Sequence, residues 1–382
     1  MKPGQRVYVT NQSLAEHVGG ASSVTAWVLQ AFAPDLDVSL ATPDGEVDFA
    51  HIDDMYGTTL ALANIGVHQL PVPAWARRAP AHVLKSLRLA ASFRDPVLHG
   101  SDGGLVFNTA NEMGFAGEAV NYVHCPIRHP RMISELFSGP ERLARLANNA
   151  AFKVVSGFDE RKFRQARCLA NSKWTASALR RTYAIDAQVV YPPVTSSPAA
   201  PKPFADRAVG YVCLGRLAPE KRIHEAIAVV DELRDQGHDV HLHVVGTGGG
   251  PYAARIGAAA RRRDYVTLHG HLSRGELKVL LDEHKFGLHM MQNEHFGMAV
   301  AEMTAAGLLV LAHRSAGPME ILGPASPLLF DDVAGAVAAA VRLMQSVSLQ
   351  EEMMTGVNRV RAAFSPEAFT LAVREAVGAE TN

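Results

Sequence analysis

Residues 286–303 read FGLHMMQNEHFGMAVAEM, and this stretch contains the change of pattern that decides the fold. Its first six residues are apolar and strand-like, its middle is polar, and its end has the small apolar residues of a buried helix. A helix that begins near Gly297 puts Glu294 in the preceding loop and Glu302 just over one turn inside. The segment is therefore predicted to be a strand-to-helix unit of a parallel α/β sheet.

Two carboxylates and a helix N-terminus occur together in this segment. The first N–H groups of a helix lack partners inside the helix and attract an anion. A phosphate at the helix end, with Glu294 and Glu302 holding hydroxyl groups on either side, fits a nucleotide-sugar site. The alternative is that Glu294 caps the helix and that Glu302 faces solvent.

The same alternation of short β-branched runs and longer helical periods extends along the whole chain, and it is typical of α/β folds. The strand candidates of the first half are RVYVT (6–10), DVSLA (37–41), GLVFN (104–108), AVNYVH (119–124), FKVVSG (152–157), CLANS (168–172) and AQVVYP (187–192). Those of the second half are AVGYVCLG (208–215), VHLHVVG (240–246), YVTLHG (265–270), FGLHMM (286–291) and LLVLAH (308–313).

A proline-rich stretch at 191–208 separates the two halves, because proline disfavours both helix interiors and central strands. We expect an N-terminal domain at 1–195 and a C-terminal domain at 205–364, both doubly wound and Rossmann-like, facing each other across a cleft. The helical period at 365–382 predicts a last helix that packs back on the first domain.

Composition excludes several classes of protein. The 382 residues are 48% apolar and 20% charged, with a formal net charge of -1, so we expect a folded protein without affinity for nucleic acid. Three widely spaced cysteines, Cys125, Cys168 and Cys213, favour a reducing compartment. The first residues form a strand-like run without the apolar core of a signal peptide, and the longest apolar runs are less than half as long as a membrane span. A cytoplasmic location is therefore expected, with at most peripheral membrane contact.

A second loop carries two cations. Strand 208–215 runs into Gly215-Arg216-Leu217-Ala218-Pro219-Glu220-Lys221, ahead of an apolar helix. Arg216 and Lys221 therefore lie at the carboxyl end of a strand, where they could neutralise a diphosphate without metal. Alone, such a pair would more often be solvated surface.

The next strand ends in a glycine turn at 246–250. Gly246 and Gly248 would let backbone N–H groups approach a nucleotide phosphate or sugar. A nicotinamide-cofactor site is disfavoured, because the strand after the turn ends in His269-Gly270 rather than in an acidic residue. An ordinary strand-to-helix turn is the other alternative.

Neither a metal site nor a serine hydrolase is predicted. His241 and His243 are two residues apart, as are His269 and His271, but no third ligand follows at a suitable spacing. No GxSxG motif is present. The basic segment from Trp75 to Leu98 could contact a lipid-linked acceptor, although a surface helix packed on its own domain is the favoured interpretation.

These motifs carry a family resemblance. GRLAPEK (215–221), the glycine turn, LHGHLSRGELKVLL (268–281), EHFGMAVAEMTAAG (294–307) and SAGPMEIL (315–322) resemble, in order and spacing, the family 4 retaining glycosyltransferases of GT-B fold. The first domain adds Gly19-Gly20-Ala21, Tyr122-Val123-His124, ANSKW (170–174) and VYPPV (190–194). The sequences of these motifs are most similar to those of the GDP-mannose-dependent alpha-1,2-mannosyltransferases of the lipid-linked oligosaccharide pathway.

The resemblance implies a role for each matching residue. Arg216 and Lys221 would bind the donor diphosphate, Glu294 the hydroxyls of the donor sugar, and Glu302 those of the ribose. His124 would approach the donor sugar. The remaining donor-binding positions implied are Gly19, Gly20, Gly246, Gly248, Phe296, Gly297, Met298 and Ala299.

The expected reaction is transfer of a hexose, with mannose favoured, from a nucleoside diphosphate sugar to a saccharide, lipid-linked or small-molecule acceptor. No metal or other cofactor is expected. The sequence departs from the family pattern at two places. GGASSV at 19–24 concerns the contacts to the acceptor, and SAGP at 315–318 concerns the backbone contacts near Gly317. A noncatalytic nucleotide-sugar-binding or partner subunit is the alternative function.

Overall fold

The computed structural model describes residues 5–11, 14, 19–74, 81–195 and 201–379. The chain divides into two compact units, one of Met1–Pro193 with Pro366–Asn382 and one of Val194–Ser365. Each unit is built on its own sheet of parallel strands. The α/β class predicted from the alternating pattern is confirmed.

The sheet of the first unit has the strand order β3-β2-β1-β4-β5-β6-β7. Its strands are β1 (Val7–Thr10), β2 (Val38–Thr42), β3 (Gly66–Gln69), β4 (Leu105–Asn108), β5 (Ala119–Val123), β6 (Arg167–Ala170) and β7 (Gln188–Val189). The central strands β1, β2, β4 and β5 are buried along their whole length, as parallel strands covered by helices should be. Edge strand β3 was not predicted, because its GVHQ sequence is mostly exposed and has no apolar run.

The helices of this unit begin with α1 (Gly20–Phe32), α2 (Phe49–Tyr56), α3 (Ala81–Ser92), α4 (Pro130–Leu136), α5 (Gly139–Ser156), α6 (Glu160–Gln165) and α7 (Lys173–Tyr183). The strand predicted at 152–157 is wrong, because Phe152 to Ser156 form the last turns of α5. Phe152 is buried while Val154 is 74% exposed, which is the spacing of an amphipathic helix. Gly157 ends the helix in the left-handed conformation.

The sheet of the second unit has the order β10-β9-β8-β11-β12-β13. Its strands are β8 (Ala208–Leu214), β9 (Leu242–Val245), β10 (Val266–Gly270), β11 (His284–His289), β12 (Leu309–His313) and β13 (Leu329–Phe330). Its helices are α8 (Ile223–Asp235), α9 (Gly250–Ala260), α10 (Arg274–Glu283), α11 (Met298–Ala305), α12 (Ala316–Leu322), α13 (Val333–Gln345) and α14 (Val347–Ala363).

Strands β8 and β11 are neighbours in this sheet, although they are separated along the chain by β9 and β10. The strand order reverses between them, and ligands of doubly wound sheets bind outside the carboxyl ends of strands at such a point. Beneath it, the core packs Tyr211 against Phe286, with ring centroids 5.4 Å apart. The loops after β8 and β11 therefore define where a site is to be sought.

The last helix, α15 (Pro366–Val377), belongs to the first unit and packs against α1. Arg374 bonds the Ala31 carbonyl at 3.1 Å and pairs with Asp35 at 2.7 Å. The ring of Phe369 meets that of Tyr122 edge to face at 6.2 Å. Both polar and aromatic contacts thus attach the C-terminal helix to the first sheet's own core.

The part of the basic segment at 75–80 lies outside the described residues. Arg94, near its end, donates hydrogen bonds to the carbonyls of Val155 and Val154, at 2.6 and 2.8 Å. Both carbonyls lie in the last turn of α5, so this cation stabilises a helix terminus.

Among the described residues, no single helix is long and apolar enough to cross a membrane. Helix α13 and the stretch Val347–Val377 pass that test of length and composition only when joined, and they are bent by 103° at the break between them.

Candidate active site

The loop after β8 presents Lys221 through two short turns. Pro219–Lys221 form a 3-10 turn, with the Lys221 N–H bonded to the Ala218 carbonyl at 3.0 Å. Arg222 then adopts the left-handed conformation, with φ 51°, and α8 begins at Ile223. The guanidinium of Arg222 pairs with Glu225 in the first turn of α8, and this ion pair stabilises the left-handed turn. The Lys221 side chain is thereby directed along the carboxyl end of the sheet.

The ammonium of Lys221 meets the carboxylate of Glu294, which follows β11. The Nζ and Oε2 atoms are 2.6 Å apart, and both side chains are less than one-fifth exposed. Burial by itself would raise the pKa of Glu294, but the Lys221 charge and the nearby His289 ring together hold that pKa far below its usual range. Glu294 is therefore an ionised acceptor of hydrogen bonds, not a proton donor.

His289, the last residue of β11, was missed by the sequence analysis. Its Nε2 atom lies 3.4 Å from Glu294 Oε2, and its side chain is only 2% exposed. Burial lowers the pKa of His289, so the ring is neutral at pH 7 and Lys221 supplies the positive charge of the pair. The signal available was a histidine at the end of an apolar strand, immediately before a polar loop.

Helix α11 begins where the sequence predicted. Gly297 precedes it in the left-handed conformation, with φ 104°, and the Ala301 N–H closes the first turn on the Gly297 carbonyl at 3.0 Å. The N–H groups of Met298 and Ala299 fall in the first turn, where a helix provides no internal acceptor. This is the helix end that the sequence analysis assigned to an anion.

Glu302 lies on α11 and is partly buried rather than facing solvent. Burial raises the pKa of its carboxyl to about 7, against the lowering effect of the Arg274 guanidinium. The side chain is thus poised between its neutral and ionised forms near neutral pH. The Glu294 carboxylate accepts its hydrogen bond from Lys221 rather than from a helix N–H, so neither part of the alternative interpretation fits.

The SAGP segment supports the Glu294 loop. The Gly317 N–H donates to the Glu294 carbonyl at 2.9 Å, and the Asn293 N–H donates to Ser315 Oγ at 2.8 Å. A Cβ on Gly317 would lie 1.9 Å from the Phe296 carbonyl oxygen, so no other residue fits there. The ring of Phe296 is buried against Phe364, with centroids 5.3 Å apart, and serves as core.

The glycine turn after β9 packs closely on the loop after β8. A Cβ on Gly246 would lie 2.0 Å from the Gly215 carbonyl oxygen, and one on Gly248 would lie 2.6 Å from that of Leu217. The Gly246 N–H is already bonded to the Gly270 carbonyl at 2.8 Å. Gly246 therefore contributes close packing that fixes the loop of Arg216 and Lys221.

Arg216 lies on the surface of the second unit. Its side chain is 68% exposed and pairs with Glu220 at 2.8 Å. The structure thus brings Lys221 and Glu294 into contact, sets Glu302 on the adjoining helix, and leaves Arg216 on the surface of the same loop.

The first unit holds three further predicted residues. Gly19 precedes α1 with open space around its Cβ position, and Gly20 is the first residue of that helix. His124 follows β5, where its backbone N–H bonds Asn111 Oδ1 at 2.8 Å and its Nε2 lies 3.2 Å from the Thr109 carbonyl. Gly19 and Gly20 follow β1, where the strand order of this sheet reverses, and His124 follows β5, two positions from β1 in that order.

Comparison with known proteins supports the resemblance. Residues 201–359 match the family described as glycosyl transferases group 1, so the second unit carries a domain of that group. A Candida glabrata protein named GDP-Man:Man(3)GlcNAc(2)-PP-Dol alpha-1,2-mannosyltransferase is 30% identical over 169 residues, which are 40% of this chain and 33% of the relative. The matched part therefore spans about a third of that relative's length.

Solved structures extend the likeness to the whole fold. A sucrose-phosphate synthase from Thermosynechococcus elongatus matches 98% of this chain and 98% of its own, with TM-score 0.74 and 16% identity. An Anabaena protein in complex with UDP and glucose matches 98% of this chain and 100% of its own, with TM-score 0.69 and 15% identity. The expected GT-B fold is confirmed.

Replacing Gly246 by alanine should destabilise the second unit. The new Cβ would meet a backbone oxygen, and φ 143° is unfavourable for alanine, which costs about 1–3 kcal/mol before any collision. Gly275→Ala is the matched control, since open space surrounds that Cβ position in α10. Denaturant unfolding should show a clear loss for the first variant and none for the second; equal stability would show that the two loops are not in close contact.

The ion pair should make stability depend on acid pH. Because the pKa of Glu294 lies below its ordinary value of 4.5, its contribution is present above that value and is lost as the pH falls below it. The difference in free energy of unfolding between wild type and Glu294→Gln should therefore shrink from about pH 5 to pH 3. Glu220→Gln, which alters an exposed ion pair, should differ little from wild type in free energy of unfolding at every pH. If the difference between wild type and Glu294→Gln stayed constant with pH, the ion pair of Glu294 with Lys221 would be contradicted.

Proposed function

We propose that this chain is a retaining glycosyltransferase, which moves a hexose from a nucleoside diphosphate sugar to a hydroxyl-bearing acceptor. The observation that carries the proposal is the mostly buried Lys221–Glu294 pair beside the N-terminus of α11, where the strand order of the second sheet reverses. A fixed cation, a fixed anion and unpaired helix N–H groups suit the diphosphate and the sugar hydroxyls of one ligand.

The chemistry follows from where charge develops. Departure of the diphosphate builds negative charge on the leaving oxygen while the sugar becomes oxocarbenium-like. Lys221, Arg216 and the first turn of α11 supply the cations and N–H groups that stabilise this charge. Arg216 is free enough on the surface to turn from Glu220 toward a phosphate.

Glu294 orients the donor sugar in this proposal. A carboxylate kept ionised by Lys221 accepts hydrogen bonds from two sugar hydroxyls and donates none. In a front-face reaction the leaving phosphate takes the proton of the acceptor hydroxyl, so no side-chain base is required. Retention at the anomeric carbon then results from attack on the face that the diphosphate leaves.

The donor is proposed to be GDP-mannose, since the relatives that match about two-fifths of this chain are named for its use. The acceptor is proposed to be a saccharide, lipid-linked or small-molecule hydroxyl, met in the cytoplasm or at a membrane surface. A noncatalytic role in binding nucleotide sugars is the competing function. Slow hydrolysis of the donor without acceptor, lost with Lys221, would distinguish the enzyme from the binding protein.

Loss of either cation should slow the reaction. Arg216→Ala and Lys221→Met each remove a charge that faces the leaving diphosphate, with an expected loss in turnover on the order of 10²–10³. Methionine keeps the stem of Lys221 packed, and Arg261→Ala removes an exposed arginine elsewhere in the unit as a control. Initial rates at saturating donor measure this; near wild-type turnover in either site variant would place the diphosphate elsewhere.

The two carboxylates should give different kinetic signatures. Glu302→Gln should weaken donor binding, and wild-type affinity should rise from about pH 6 to pH 8, since ionisation near pH 7 creates the better acceptor for ribose hydroxyls. The Glu302→Gln variant should lose that pH dependence. Glu294→Gln should lower turnover more than affinity, and exposed Glu351→Gln should change neither. If Glu302→Gln instead lowered turnover and Glu294→Gln lowered donor affinity, the two carboxylates would contact the opposite ends of the donor.

Activity should persist in excess chelator. Two cations and a helix end already serve the diphosphate, so a bridging magnesium or manganese ion is unnecessary. Turnover is compared before and after dialysis against chelator. A complete loss that Mg²⁺ or Mn²⁺ restores would defeat this part of the proposal.

A further inference from the structure

The second sheet brings four histidines together across three of its strands. His241 directly precedes β9 and His243 lies on it, while His269 lies near the end of β10 and His284 is the first residue of β11. The ligand atoms of His241, His243 and His284 all lie within 4.8 Å of one another. The third ligand that the sequence spacing did not provide therefore comes from a strand about forty residues further along the chain.

The gap that admits these rings is made by Gly210. Strand β8 lies between β9 and β11, so His241 and His284 can meet only above β8. A Cβ on Gly210 would lie 2.2 Å from His241 Nε2, which means that the imidazole occupies the space of the missing side chain. His241 Nε2 and His284 Nε2 are 3.0 Å apart across this gap.

The other ring nitrogens have acceptors that orient the imidazoles. His284 Nδ1 lies 2.7 Å from the Leu280 carbonyl, so it carries the proton and leaves an Nε2 lone pair directed at His241. His243 Nδ1 lies 2.7 Å from His269 Nε2, which leaves the Nε2 of His243 for another partner. Metal-binding histidines commonly donate their second N–H in this way.

The spacing and protonation also suit a divalent metal. Nitrogens bound to tetrahedral zinc at roughly 2.0–2.1 Å lie about 3.3 Å apart, close to the separation of His241 and His284. Each ring would bind the ion through a nitrogen that carries no proton, as Nε2 of His284 does when Nδ1 donates to the Leu280 carbonyl.

We propose that His241, His243 and His284 bind one Zn²⁺ ion, with His269 as the hydrogen-bond partner of His243 and solvent in the fourth position. Imidazole ligands select zinc and its neighbours over magnesium and calcium. The ion would join β9 to β11 above β8 and so stabilise the sheet of the second unit. It would lie at the far end of β11 from Glu294, about 17 Å along that six-residue strand, and would take no part in sugar transfer.

The test uses the full chain without a polyhistidine tag, stripped with chelator and titrated with ZnCl2 by calorimetry. One zinc per chain is expected, with a rise in Tm at zinc concentrations well above Kd. Co²⁺ should give the intense visible absorption of a four-coordinate site. His241→Gln and His284→Gln should each weaken binding by more than the roughly 10–100-fold that loss of an outer partner costs. Exposed His271→Gln is the matched control and should bind zinc as wild type does.

Failure of wild type to bind one equivalent of zinc would overturn the proposal without relying on any variant. Binding that persists in the His241→Gln/His284→Gln double variant, with folding verified by circular dichroism, would also overturn it. Gly210→Ala should weaken zinc binding, because its Cβ displaces the His241 ring. Turnover of the stripped enzyme should be unchanged below its Tm, so this result is separate from that of the glycosyltransferase assay.

Discussion

The Lys221–Glu294 contact joins the two loops on which the candidate site depends. One loop follows β8 and the other follows β11, and the two strands are adjacent only because the sheet order reverses between them. A 2.6 Å ion pair in a mostly buried position is stable only when both charges are held in place. The left-handed turn at Arg222, the glycine contact at Gly246 and the Gly317 bond to the Glu294 carbonyl provide that restraint.

Much of the fold could be predicted, because a buried parallel strand has an apolar sequence that is followed by a glycine or a polar loop. The failures have local causes. The short edge strands β3 and β13 contain too few apolar residues to stand out. In the stretch from Phe152 to Ser156, the β-branched Val154 lies on the exposed side of a helix. Helix propensity and the period of 3.6 prevailed over the β-branched run there.

The site was predictable where its residues share one segment or follow neighbouring strands. Glu294, Gly297 and Glu302 fall within a single strand-to-helix unit, and Lys221 is brought to them by the strand order that a doubly wound sheet imposes. His284 could not be assigned, because its partner His241 lies on a separate segment, and their contact depends on strand register and on the space left by Gly210. The register between strands from separate segments cannot be predicted from the local sequence pattern of either strand. The individual roles of the site residues stay predictions.

A crystal structure of the full chain grown with GDP-mannose, or with GDP if the sugar is hydrolysed, tests the central claim most directly. The account predicts the diphosphate within hydrogen-bond distance of Lys221 Nζ and of the first N–H groups of α11, with Arg216 turned away from Glu220. Glu302 should contact the ribose, and Glu294 should face the sugar. A nucleotide bound elsewhere, with the Lys221–Glu294 pair intact and no phosphate beside it, would contradict the account.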